Sequence, residues 1–193
     1  FVYLYRIRLL DKVVVLAANL AAGTVAVPVW ESLAPYQQNR IIVFLDPTID
    51  PRGAGYQLIQ SQIAIGSGGL TGQGFLEGSQ KRFAFLPEQH TDFIFSVVGE
   101  ELGFVGVAVV LAVFGALLLR LVQLAERTSD PFAGMVLFGI FGTWLVHIFI
   151  NTGMTVGIVP ITGIPLPFLS YGGTFLVTCW ALAGLAVRMS REE

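Results

Sequence analysis

The chain has 193 residues, of which 54% are hydrophobic and only 12% charged, with a net charge of −2 and a mean hydropathy of +0.74. A charged fraction half the usual value of about 25% cannot cover a soluble fold of this size, and the hydrophobicity excludes intrinsic disorder. There is no basic excess for nucleic acid, since 11 Lys and Arg face 13 Asp and Glu, and the single cysteine, Cys179, excludes a disulfide scaffold. What remains is an integral membrane protein, and uncharged runs of helix-spanning length make the expected fold class all-α.

In chain order, residues 1–12 make a basic, amphipathic start with Arg6, Arg8 and Lys12. A first membrane span is predicted over 13–30, uncharged throughout, with Asn19 and Gly23 inside it, Pro28 placed to kink or end it, and Trp30 as an interfacial anchor. Residues 31–91 form a polar stretch too long to be a mere connector. In it, Tyr36 and Arg40 read as a surface anchor. Leu58, Ile59 and Ile63 share one helical face opposite Gln57, Gln60 and Ser61, which predicts a short helix lying in the membrane interface. Gly66, Gly68, Gly69, Gly72, Gly74 and Gly78 follow, in a density that permits either a flexible loop or close approach of backbone to backbone. Further spans are predicted over 93–119, 132–151 and 169–187, joined by a charged loop at 120–131 and by a proline loop at 152–168. Residues 131–187 carry no Asp, Glu, Lys or Arg, which suits two crossings of about 20 residues each.

The bases set the orientation. Arg6, Arg8, Lys12, Arg120, Arg127, Arg188 and Arg191 fall on one side, while 152–168 holds no Lys or Arg. Both chain ends and the 120–131 loop are therefore expected in the cytoplasm, with 31–91 and the proline loop on the outer face. Phe1 is not an initiator Met, and no small-residue cleavage site ends the first apolar run, so the chain reads as part of a larger protein.

Asp92 is the leading chemical candidate. It stands where the outer loop enters the second span, which suits a helix N-cap as well as an ionisable group able to accept a proton or bind a cation. Glu88 and His90 are its neighbours. Glu100 and Glu101 lie two to three turns further on, within the bilayer, where carboxylates face protein or a water-filled cavity. Their expected partners include Lys81 and Arg82. His147 and Asn151, four residues apart, suit a helix–helix hydrogen bond. Pro160, Pro165 and Pro167 predict a rigid, partly re-entrant path, tolerated only where protein or a cavity covers its backbone. No phosphate-binding loop, HExxH, CxxC or Gly-x-Ser-x-Gly motif is present.

Three blocks then carry a resemblance. Residues 55–70 (GYQLIQSQIAIGSGGL), 85–95 (FLPEQHTDFIF) with Glu100-Glu101-Leu102-Gly103 behind them, and 163–173 (GIPLPFLSYGG) resemble the SEDS family in order and spacing. Within the family, Gly72–Gln80 is more similar to the elongation-type branch, RodA, than to the division-type branch, FtsW. The resemblance implies ten transmembrane helices, of which this chain supplies the last four with the large extracellular loop 31–91. It implies a peptidoglycan glycosyltransferase that polymerises lipid II, an undecaprenyl-diphosphate-linked precursor, on the outer face of the bacterial cytoplasmic membrane during elongation. It implies a class B penicillin-binding protein, a transpeptidase, as partner. Asp92 matches the family's essential loop aspartate. Its carboxylate acts either as general base on the acceptor hydroxyl or as ligand to a divalent cation, magnesium or manganese. Lys81, Arg82, Glu88 and His90 are expected at the substrate, with Lys81 and Arg82 offsetting diphosphate charge. Glu100, Glu101, Pro165, Pro167, Ser170 and Gly172 are expected to shape the fold and cavity. A lipid flippase or transporter and a non-enzymatic transpeptidase scaffold are the alternatives.

Overall fold

The computed structural model describes residues 9–51, 53–75, 77 and 91–190. Their regular structure is entirely helical: α1 (Leu9–Ser32), α2 (Pro35–Leu45), a 3-10 turn (Pro47–Ile49), α3 (Ala54–Ser67), α4 (Ile94–Arg127), α5 (Pro131–Val156) and α6 (Gly173–Met189). The chain divides into two compact units, Phe1–Ile41 and Ile42–Glu193.

In the first unit, α1 contains the uncharged stretch 13–30. Pro28 lies inside the helix and does not end it, because the helix continues to Ser32. The turn into α2 is held by side-chain amides. Gln37 accepts from the Ala34 N–H at 3.0 Å, and Gln38 Nε2 donates to the Trp30 carbonyl at 2.8 Å. The Arg40 guanidinium lies 5.9 Å from the centre of the Tyr36 ring, a weak cation–π contact at this exposure.

The second unit begins at a small polar turn. Asp46 accepts from the Thr48 hydroxyl at 2.6 Å and from the Thr48 N–H at 3.0 Å, and these bonds hold its carboxyl below the usual carboxylate range. Helix α3 follows, and it departs from expectation. It packs against α4 and α5 through a face other than the predicted apolar one. Gly55, Leu58, Ser61 and Ala64 form its buried stripe, while Ile63 is 46% exposed. Small residues on this stripe let backbones approach closely. Ser61, expected on the polar face, is fully buried: its hydroxyl lies 2.6 Å from Ser96 Oγ and donates to the Thr155 carbonyl at 2.8 Å. Small-residue contact and interhelical hydrogen bonds are how helices associate where apolar surface alone gives no driving force.

α4 and α5 are long and apolar enough to cross a membrane: α4 from Phe104, just past its break, to Arg127 runs about 36 Å and α5 about 39 Å, against a hydrocarbon core of about 30 Å. Along α4, Phe104, Val105, Val109 and Val113 point outward, each more than half exposed. α4 continues to Arg127, so the expected 120–131 loop shrinks to 128–130. The reason is packing, because Leu121, Leu124 and Ala125 join the core shared with α5. Asp130 then caps α5 with both carboxylate oxygens, accepting from Phe132 and Ala133 N–H at 3.0 and 3.3 Å, with Pro131 in the first turn. Trp144, Leu137, Ile140 and Ile148 of α5 meet Phe114 and Leu121 of α4, Leu166 of the proline loop and Ala186 of α6. α6 starts at Gly173, four residues later than the predicted span, and runs to Met189.

Candidate active site

Three segments converge at Asp92. The first is the turn 91–93, which precedes α4. The N-cap of α4 is Phe93, so Asp92 stands one residue before the cap and not on it. The second is the C-terminal part of α5. Asn151, fully buried, donates from Nδ2 to the Asp92 carbonyl at 2.9 Å and to the Ile164 carbonyl at 2.8 Å. The third is the proline loop. Ser170 Oγ donates to the Thr91 carbonyl at 2.6 Å and accepts from the Leu166 N–H at 2.7 Å. The His147 ring lies 3.1 Å from the Pro165 carbonyl through Nδ1 and stacks on Phe175 at 4.9 Å. His147 and Asn151 therefore hold loop carbonyls; the expected helix–helix hydrogen bond is replaced by a helix–loop clasp.

The loop is covered as its backbone demands. Leu166, Pro167 and Ser170 are buried. Phe168 takes a left-handed backbone conformation, φ 63°, unusual for a side chain of this size. Its ring sits edge-on between Trp144 and Trp180, at 5.1 and 5.3 Å, and this packing holds the conformation. At Gly163, φ is +74°, and a Cβ there would come within 3.1 Å of Asp92 Oδ2. The Asp92 carboxylate thus lies over a glycine that leaves it room. Pro165, Pro167, Ser170 and Gly172 fall in this framework. Lys81, Arg82, Glu88 and His90 lie outside the described residues.

Glu100 and Glu101 belong to a second feature. Both are buried, at 0% and 5% exposure. Just beyond them α4 breaks, with Gly103 at φ 65°, ψ −165°. The helical bonds that would join Phe104 to Glu100 and Val105 to Glu101 are exchanged for bonds to the glycine loop. Phe104 and Val105 N–H donate to the Gly69 and Leu70 carbonyls at 2.9 and 3.1 Å. Gln73 and Gly74 N–H donate to the Glu100 and Glu101 carbonyls at 2.9 and 3.1 Å. A Cβ on Gly68 would strike the Gly99 carbonyl, and one on Gly72 the Glu101 carbonyl. The glycines serve close backbone approach. Four backbone groups at the break thus find protein partners in the loop, as buried irregular backbone requires.

Fold and site define an all-helical membrane protein with a carboxylate held at the junction of a helix start and a buried loop. Comparison with known proteins agrees. The family model described as "Cell cycle protein", FtsW/RodA/SpoVE, matches residues 2–193, and the chain belongs to that family. It is 43% identical over 179 residues to the peptidoglycan glycosyltransferase MrdB of Escherichia coli K12, covering 93% of this chain and 48% of that protein. It is 45% identical over 161 residues to the peptidoglycan glycosyltransferase RodA of Treponema pallidum, covering 83% and 37%. Against the probable peptidoglycan glycosyltransferase FtsW of Geobacter metallireducens it is 47% identical over 155 residues, covering 80% and 41%. The chain therefore spans about half the length, or less, of the curated relatives it matches.

Solved structures are similar as well, among them these two. One, described as "Structural coordination of polymerization and crosslinking by a peptidoglycan synthase complex", matches with a TM-score of 0.69 and 36% identity over 92% of this chain and 48% of that one. The other, an Asp-to-Ala variant of the rod shape determining protein RodA of Thermus thermophilus, gives 0.53 and 36% over 64% and 38%.

Proposed function

We propose that this chain is the C-terminal part of a peptidoglycan glycosyltransferase of the RodA type, which polymerises lipid II on the outer face of the cytoplasmic membrane during cell elongation. The observation that carries the reading is the Asp92 carboxylate, tied through its own backbone to the proline loop and lying over Gly163. Relatives named as peptidoglycan glycosyltransferases support it. In this reading 1–193 is one part of a single membrane domain. α1, α4, α5 and α6 are the last four of ten transmembrane helices, both chain ends are cytoplasmic, and 31–91 is the outer loop.

An acceptor sugar hydroxyl attacks the anomeric carbon of a donor that carries a lipid diphosphate. Asp92 takes the hydroxyl proton as general base while the diphosphate departs. A divalent cation, magnesium or manganese, is the other assignment for the same carboxylate. Among the described residues no three His, Cys, Asp or Glu side chains form a metal-holding group. Asp92 would be the residue of this chain that holds such a cation. Such an ion supplies charge stabilisation to the leaving group. Lys81, Arg82, Glu88 and His90 belong to the substrate side in this reading. A class B penicillin-binding protein is the crosslinking partner, a proposal favoured by the similarity to a chain of a synthase complex.

One observation bears on the transporter alternative. A broken helix beside buried carboxylates suits a translocation path. Here, however, both sides of the break at Gly103 are occupied by loop backbone, which favours a fixed scaffold. The test uses the full-length protein purified with its transpeptidase partner and supplied with lipid II. Wild type forms glycan polymer, and Asp92→Ala and Asp92→Asn lose at least about 100-fold while the complex stays intact. Polymer from both variants at the wild-type rate overturns the assignment.

A further inference from the structure

We infer that Asn151 is a positioning residue for Asp92, a single buried amide that sets where the reacting carboxylate stands relative to the proline loop. The inference rests on the reading of Asp92 given above.

The geometry is specific. Asn151 lies near the C-terminal end of α5 and is fully buried. An amide nitrogen carries two N–H groups, and both are used: one on the Asp92 carbonyl at 2.9 Å, the other on the Ile164 carbonyl at 2.8 Å. Because both acceptors are carbonyls, only the nitrogen end can face them, which fixes the amide's orientation. Ile164 is the residue after Gly163, over which Asp92 Oδ2 lies. One side chain thus joins the residue that carries the carboxylate to the residue beside its resting place. A change at this amide alters the distance between the carboxylate and the loop without removing either.

The same placement leaves Asn151 Oδ1 buried with no hydrogen-bond partner among the described residues. A buried, unpaired amide oxygen is unfavourable. What the asparagine supplies at this position is two donors aimed at two backbone carbonyls. Asn151 touches no reacting atom in this arrangement and acts through Asp92. Misplacement of a catalytic group by about 1 Å costs on the order of 100-fold in rate, so the clasp carries a kinetic consequence distinct from its contribution to folding.

The test uses the full-length protein with its transpeptidase partner and lipid II, comparing wild type, Asn151→Ala, Asn151→Ser and, as control, Asp92→Ala. Thermal midpoint and monodispersity are recorded beside kcat and KM, and rates are taken per folded complex. The expected result is a kcat lowered about 10- to 100-fold with KM within about twofold of wild type. The less disruptive Ser variant is judged by the same criterion if the Ala variant yields no folded complex. A kcat per folded complex within about twofold of wild type, or a loss carried by KM, overturns the inference and leaves the reading of Asp92 standing. Polymer from Asp92→Ala at the wild-type rate overturns both, and is seen in the control whatever the Asn151 variants do.

Discussion

At Asp92 the carboxylate proposed to do the chemistry and the groups that hold it are different. The carboxylate is set through the backbone, by Asn151 on its own carbonyl and by Ser170 on the carbonyl before it. Gly163 is the most sensitive neighbour. Its φ of +74° lies where an L side chain costs about 1–2 kcal/mol, and a Cβ would press on Oδ2 at 3.1 Å. Gly163→Ala should lower the thermal midpoint and also turn the carboxylate aside, with polymerisation falling about tenfold in the lipid II assay. A variant with a lowered midpoint and an unchanged rate per folded protein would mean that the carboxylate does not depend on this contact.

Among the elements, the break in α4 is where backbone chemistry and packing meet. Two helical hydrogen bonds are given up at Gly103, and four bonds to the glycine loop replace them. The exchange requires a positive φ at Gly103, where a Cβ would also meet the Leu70 carbonyl at 2.7 Å. Gly103→Ala is expected to cost about 3 kcal/mol, read as loss of the monodisperse peak on heating in detergent. Gly115 lies in the same helix with open space around its Cα, so Gly115→Ala is the control, expected neutral or stabilising by up to about 1 kcal/mol. Equal behaviour of the two would remove the special status of the break. In α3, Ser61→Ala removes the bonds to Ser96 and Thr155 and should cost about 1–3 kcal/mol by the same measurement.

For the whole molecule, sidedness is the open test. Leu70, in the glycine loop, and Ser129, between α4 and α5, are both exposed. In the full-length protein, Leu70→Cys should react with an impermeant maleimide in intact cells, and Ser129→Cys only after permeabilisation. Cys179 is buried and should stay silent. The opposite pattern would reverse the orientation argued from Lys and Arg.

The sequence alone determined the class, because 12% charge and uncharged runs of membrane length leave few options. It also placed the starts of four long helices to within four residues, though α4 runs eight residues beyond its predicted end and α2 has no counterpart in the prediction, and it singled out Asp92, since a carboxylate at the rim of an apolar run is visible as a composition edge. Hydrophobic pattern is a local property, and these are local conclusions. Only the tertiary structure decided that Ser61 is buried and Ile63 exposed, because α3 meets other helices through small residues, which hydropathy does not register. It alone tied Asn151 to residues 92 and 164, contacts between segments far apart in the chain. The break at Gly103 is likewise legible only with the loop that fills it. A glycine in a helix is ambiguous until the backbone groups on either side have found their partners.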